Sequence, residues 1–222
     1  MKTHFFPKSI CSAAMILIAA MILPGIGGAA VNNHNSNELL LNALSPFEDI
    51  IESAMAKDDK ALASSTLAAT EIAAAVKNNV SPAAFRRLDQ LVYEIAQYTK
   101  DQRYELVSLR ALEAYKMIAA ELDPALLKVP LEVIWLDYIG FEIQALSIMT
   151  DPDWDLLQKS VGQALALWSA VEPKIADKGL RDVYKSTLMG LTDALETKNI
   201  AMLHFAAQID LDLVDLLENH FG

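Results

Sequence analysis

Cysteine is almost missing from this chain of 222 residues: its single thiol, Cys11, lies in an N-terminal stretch that reads as a leader. The remainder therefore has no disulfide, no thiolate metal ligand and no cysteine nucleophile. Basic clusters are scarce too. Arg86-Arg87 is the one adjacent cationic pair, and 18 basic residues face 29 acidic ones for a net charge of −11. A surface of that sign repels nucleic acid and anionic headgroups, so neither is expected as a partner. Beta-branched strand runs and hairpin dipeptides are absent, which leaves helix as the only regular structure the pattern supports. The catalytic signatures are missing as well. No Glu-x-x-His or His-Glu-x-x-His occurs, no Cys-x-x-Cys-His, no Gly-x-Ser-x-Gly elbow and no glycine-rich phosphate loop. The chain is read as non-enzymatic on that inventory.

What is present begins with the leader. Lys2 and Lys8 precede an uncharged apolar run from Ile10 to Leu23, Pro24-Gly25 break it, and Gly28-Ala29-Ala30 offers small residues at a cleavage site. This predicts a signal peptide over 1–30, with export to the periplasm or beyond and no stable membrane insertion after cleavage. Loss of two lysines and no acids takes the net charge of the remainder to −13.

Residues 31–44 are Asn-rich at their start and read as a flexible lead-in. Beyond them, Ser45-Pro46-Phe47-Glu48, Ser81-Pro82 and Asp151-Pro152 are helix-start signals, and apolar residues recur at helical spacing. The expected fold is an all-α antiparallel bundle of about eight helices, near 46–56, 59–78, 82–98, 101–122, 131–149, 152–171, 177–196 and 198–220. Leu62, Ala69, Ile72 and Val76 align with Leu157, Ala164, Leu167 and Val171, which predicts a duplicated four-helix unit with a period near 95 residues. The two repeats are placed at 45–123 and 131–222, with a connector at 124–130. The helix 131–149 is apolar around most of its circumference and is expected at the seam between them.

Candidate site residues are few. His204, Asp212 and Asp215 share one stripe of the last helix with Gln208, a spacing that could converge on a metal cation or serve as a solvated face. Asp151, Asp153 and Asp155 begin like a calcium loop, but Leu156 stands where that loop needs glycine and Gly162 where it needs an acid, so they are read as caps. On the helix 131–149, Glu132, Asp137, Gly140, Gln144 and Ser147 fall on one polar side. Glu142 falls opposite, beside Tyr138, Ile139, Ala145 and Leu146. Asp210 also leaves the polar stripe of its helix and sits among Ala206, Ala207, Leu213, Val214 and Leu217. A buried carboxylate needs a partner, so Glu142, Asp210 and Tyr138 form a candidate ligand-binding or hard-cation set, if the two acids share a seam. The plainer alternative is a tyrosine hydrogen bond or ion pair that fixes helix register. The functional expectation is an exported accessory protein that binds a protein partner, through an apolar surface such as Leu106, Leu109 and Met117. Small-ligand binding at the seam is the alternative.

Overall fold

The computed structural model describes residues 28–222, with side chains from His34 onward. The leader through residue 27 lies outside the described residues. Among those described there are nine α-helices and no strand. They are α1 (Gly28–Asn42), α2 (Ser45–Ala56), α3 (Asp59–Ala75), α4 (Pro82–Lys100), α5 (Tyr104–Ala119), α6 (Leu131–Ser147), α7 (Trp154–Val171), α8 (Lys178–Glu196) and α9 (Ile200–Phe221).

The helix starts follow from short polar side chains that accept the free N–H groups of a first turn. Asp58 caps α3, Ser81 caps α4 with Pro82 behind it, Asp177 caps α8 and Asn199 caps α9. Asp153, the middle acid of the calcium-like run, caps α7 by accepting from Leu156 N at 2.9 Å. Three tight turns between helices need a left-handed residue, and Lys57, Gln102 and Lys198 take that conformation with φ near 50°.

Two sequence expectations fail at the N-terminal side. The lead-in is helical: α1 covers most of it, and Leu40, Ala43 and Leu44 are buried. Asn37 explains its attachment. The Asn37 amide donates to Asp123 O at 3.3 Å and accepts from Asp123 N at 2.8 Å, while Asn79 donates to Ser36 Oγ at 2.8 Å. Asparagine here fastens one helix to distant backbone and does not mark a loop. Ser45 does not cap α2 either. Leu44, already helical, precedes it, so α1 and α2 are joined by one tight turn.

The helices pack as two closed sets of four. In one, α2 lies against α3 and α5, and α4 closes the set between them. In the other, α6 lies against α7 and α9, and α8 closes it. Helix α6 also meets α5 and α2, so it touches both sets, and its buried residues run all round its circumference. The buried apolar side chains form one cluster through the whole body, from Phe47 and Ile51 through Leu136 and Ile143 to Leu203 and Val214. Each large side chain so buried contributes about 1.5–3 kcal/mol. Among the described residues no helix is long and apolar enough to cross a membrane.

Candidate functional site: a polar seam and an apolar groove

The polar side of α6 is not solvated. Asp137, Gln144 and Ser147 are buried, and they face α9 in an antiparallel ladder. Ser147 Oγ lies 2.8 Å from His204 Nδ1, and Gln144 Nε2 donates to Gln208 Oε1 at 3.1 Å. The Ser147 hydroxyl also donates to Gln144 O at 2.7 Å, so Ser147 ties its own helix turn to His204 of α9. One step further along, Gly140 faces Asp210 and Leu211. The ladder ends at Asp137, whose Oδ2 accepts from the Tyr115 hydroxyl of α5 at 2.9 Å.

Asp210 is fully buried, and among the described residues neither of its carboxylate oxygens has a hydrogen-bond partner. Tyr184, stacked on Trp168 at 4.2 Å, places its hydroxyl near the carboxylate without closing a hydrogen bond. Burial pushes Asp210 up to about 7, with Tyr184 pulling the other way. Burial likewise pushes Asp137 up to about 8. The Tyr115 bond opposes this, and Glu218, Asp215 and Asp210 add to it. Desolvation also lifts Glu48 of α2, aided first by Asp137 and then by Glu218. Among the described residues no ion pair reaches any of these acids. A cleft of about 810 Å³ opens beside them, lined in part by Asn37, Glu48, Tyr115, Lys128 and Glu218.

Glu142 belongs elsewhere. It is half-buried, and its two oxygens accept from the Tyr138 hydroxyl at 2.5 Å and from Ser160 Oγ of α7 at 2.6 Å. Gly140 and Glu142 are about 200° apart on a helix of 3.6 residues per turn, so α6 itself stands between Asp210 and Glu142. The two acids do not share a seam, and Tyr138 serves to hold Glu142 while packing edge-on to Trp135. The histidine stripe does not converge either. His204 turns in to Ser147, Asp212 accepts from Gln208, and Asp215 is exposed. Among the described residues no three His, Cys, Asp or Glu side chains are grouped to hold a metal ion.

The apolar surface also differs from expectation. Leu109 and Met117 pack against the core and Leu106 is half-buried, so α5 presents no exposed apolar face there. Helices α8 and α9 do. Between them runs a groove of about 420 Å³ whose apolar lining includes Val183, Gly190, Met202, Phe205 and Ile209. Phe205 is 66% exposed, and Met189 beside the groove is 66% exposed. Asp182 lines the same groove, while Asp193 and Asp212, both exposed, stand one helical turn beyond Gly190 and Ile209 on its rims.

Sequence reasoning missed Tyr115, Asp137, Glu48, Glu218 and Tyr184. Only Asp137 left a signal, as a carboxylate on a helix otherwise apolar on most sides. The fold and the site together define an all-α helical bundle with an acidic interior seam and an exposed apolar groove. Comparison with protein families, with curated proteins and with solved structures finds no match.

Proposed function

We propose that this is an exported, non-enzymatic accessory protein that acts by binding a partner protein in the groove between α8 and α9. The observation that carries the reading is the exposure of Phe205, Val183 and Met202 along one groove of a chain with net charge −11. Large apolar side chains gathered in a groove are unfavourable in water unless a partner covers them. Two antiparallel helices with small residues at their crossing, Gly190 against Ala206, leave a trough of the width a third helix fills. Asp182 is paired with Lys178, and the exposed Asp193 and Asp212 on the two rims select the charge of that helix. The occupant is an amphipathic helix of a partner protein, apolar on one face and flanked by Lys or Arg.

The leader features support export, and the duplicated unit is part of the same reading. The caps Asp58 and Asp153, the caps Ser81 and Asp177, the short 3-10 turns Val76–Asn78 and Glu172–Lys174, and the left-handed Gln102 and Lys198 pair up at the period near 95. The alternative of a hard cation between Glu142 and Asp210 draws no support from the geometry, because α6 separates them.

Photocrosslinking tests the reading. A photoreactive residue at Phe205 is compared with one at Tyr93, an exposed aromatic on α4. The expected outcome is a crosslink specific to position 205, mapping to a basic-flanked helical segment of the partner. Equal yields at both positions, or a crosslinked segment that is acidic or extended, contradict it.

A further inference from the structure

The acidic seam lies where the two four-helix sets meet, away from the α8–α9 groove, and its inference is independent of the partner proposed there. We propose that this meeting point is a proton-operated joint: Tyr115 of α5 and Asp137 of α6 hold the two sets together while the Asp137 carboxyl carries its proton, and loss of that proton loosens α6 and α9 at this end.

The geometry carries the argument. Tyr115 is 1% exposed and its hydroxyl reaches both Asp137 Oδ2 at 2.9 Å and Ile134 O at 3.3 Å, so one side chain of the first set bonds two points of α6. Every element packed around Asp137 presents an acid or a tyrosine. Helix α2 offers Glu48, with Asp49 and Glu52 further out. Helix α5 offers Tyr115. Helix α9 offers Asp210, Asp215 and Glu218, and α8 adds Tyr184 behind Asp210. Among the residues that line the cleft, the basic side chains are Lys128 and His34. Among the described residues neither forms an ion pair with Glu48, Asp137, Asp210 or Glu218.

A carboxylate placed in a dry site without a cation is strongly disfavoured, and a neighbouring carboxylate makes it worse. The protein can relieve this in two ways: keep the proton, or let water in. At low pH it keeps the proton, and the joint is closed. At higher pH the proton leaves to the solvent, and water reaches the carboxylate most directly from the cleft that already touches Tyr115, Glu48 and Glu218. Helix α9 moves with the joint because its Glu218 lines that cleft and its Asp210 lies against α6.

Amide hydrogen exchange on the whole protein at pH 5 and pH 8, corrected for the intrinsic chemical rate, tests the joint. Protection over residues 131–140 and 207–218 is expected to fall at least about tenfold, since each pH unit inside a titration window changes the opening equilibrium by up to tenfold. Protection in α3 and α4 is expected to stay constant. Asp137→Asn, which keeps a polar side chain but cannot ionise, is expected to remove most of the loss over residues 131–140 and to leave at 207–218 only the part that Asp210 contributes. Tyr115→Phe keeps the ring and removes the bond that favours the ionised acid, so it is expected to extend the loss to higher pH. Unchanged protection in the native protein between the two pH values overturns the proposal, and so does an equal loss in Asp137→Asn. Should Asp137→Asn not fold, an unaltered pH profile in Tyr115→Phe overturns it as well.

Discussion

Gly140 of α6 lies against Asp210 and Leu211 of α9, where a side chain at position 140 would crowd both. A β-carbon on Gly140 would stand 3.2 Å from Asp210 Oδ2, and 2.6 Å and 2.9 Å from Leu211 Cδ2 and Cγ. The missing side chain is what lets the two helices seat a buried carboxyl between them. Gly140→Ala gains about 1 kcal/mol of helix propensity, yet overpacking of this kind costs about 1–3 kcal/mol. The expected net result is a lower urea midpoint. A midpoint at or above that of the native protein would show that α9 yields without cost.

The buried acids reverse the usual effect of acid on stability. An acid whose folded pKa lies above its ordinary value binds its proton more tightly when folded. Stability from Asp210 and Asp137 is therefore complete below their ordinary value of 3.8, and is lost as pH rises through about 7 and about 8 respectively. Unfolding free energy should fall between pH 5 and pH 8.5. Asp210→Asn should be close to neutral at pH 5 and stabilising at pH 8.5, since it removes a charge that burial disfavours. Urea titrations at the two pH values check this, and a variant equally destabilised at both would count against it.

Glu142 is a structural tie between α6 and α7. Tyr138 and Ser160 both donate to it, and a carboxamide retains one acceptor oxygen and turns a donor toward the other hydroxyl. Glu142→Gln is expected to cost about 1–2 kcal/mol, the scale of one compromised buried hydrogen bond. Thermal denaturation reads the cost directly. A variant as stable as the native protein would show that the tie contributes nothing.

Asn37 fastens α1 to the backbone of Asp123 through two hydrogen bonds. Asn37→Ala leaves the N–H and C=O of the exposed Asp123 to water and should cost about 0.5–1.5 kcal/mol. Because the loss is local, limited proteolysis should cut between residues 34 and 44 faster while the rest of the chain stays resistant. Unchanged cleavage there would mean that α1 is held by Leu40 and Leu44 alone.

Much of the fold was legible because caps and apolar spacing act locally. Ser81-Pro82 marks the start of α4, and the period of Leu157, Val161, Ala164 and Trp168 marks the buried face of α7. The site was less legible, since a helical wheel finds faces but not neighbours. It singled out Asp210 correctly as a carboxyl among apolar residues, and that side chain is fully buried. It placed Asp137, Gln144 and Ser147 on one polar side of α6 but could not show that this side meets α9 and is buried. It could not decide whether Glu142 and Asp210 share a seam, since only the register of α6 decides which neighbour each one sees. It looked for exposed apolar surface on α5, while the sequences of α5 and α9 differ little in hydrophobic spacing and only the packing covers one. The Asn-rich start of α1 resembled a loop because tertiary hydrogen bonds leave no trace in local propensity.

The acidic seam rests on one property, that Asp137 and Asp210 hold their protons well above the range of ordinary carboxyls. Carbon-13 chemical shifts of aspartate side-chain carboxyls, followed from pH 3 to pH 10 in the native protein and assigned with Asp137→Asn and Asp210→Asn, measure it directly. The account predicts two carboxyls titrating far above the rest, near 8 and near 7. If all aspartates titrate within the ordinary range around 3.8, the seam is open to water or cations and the account is wrong.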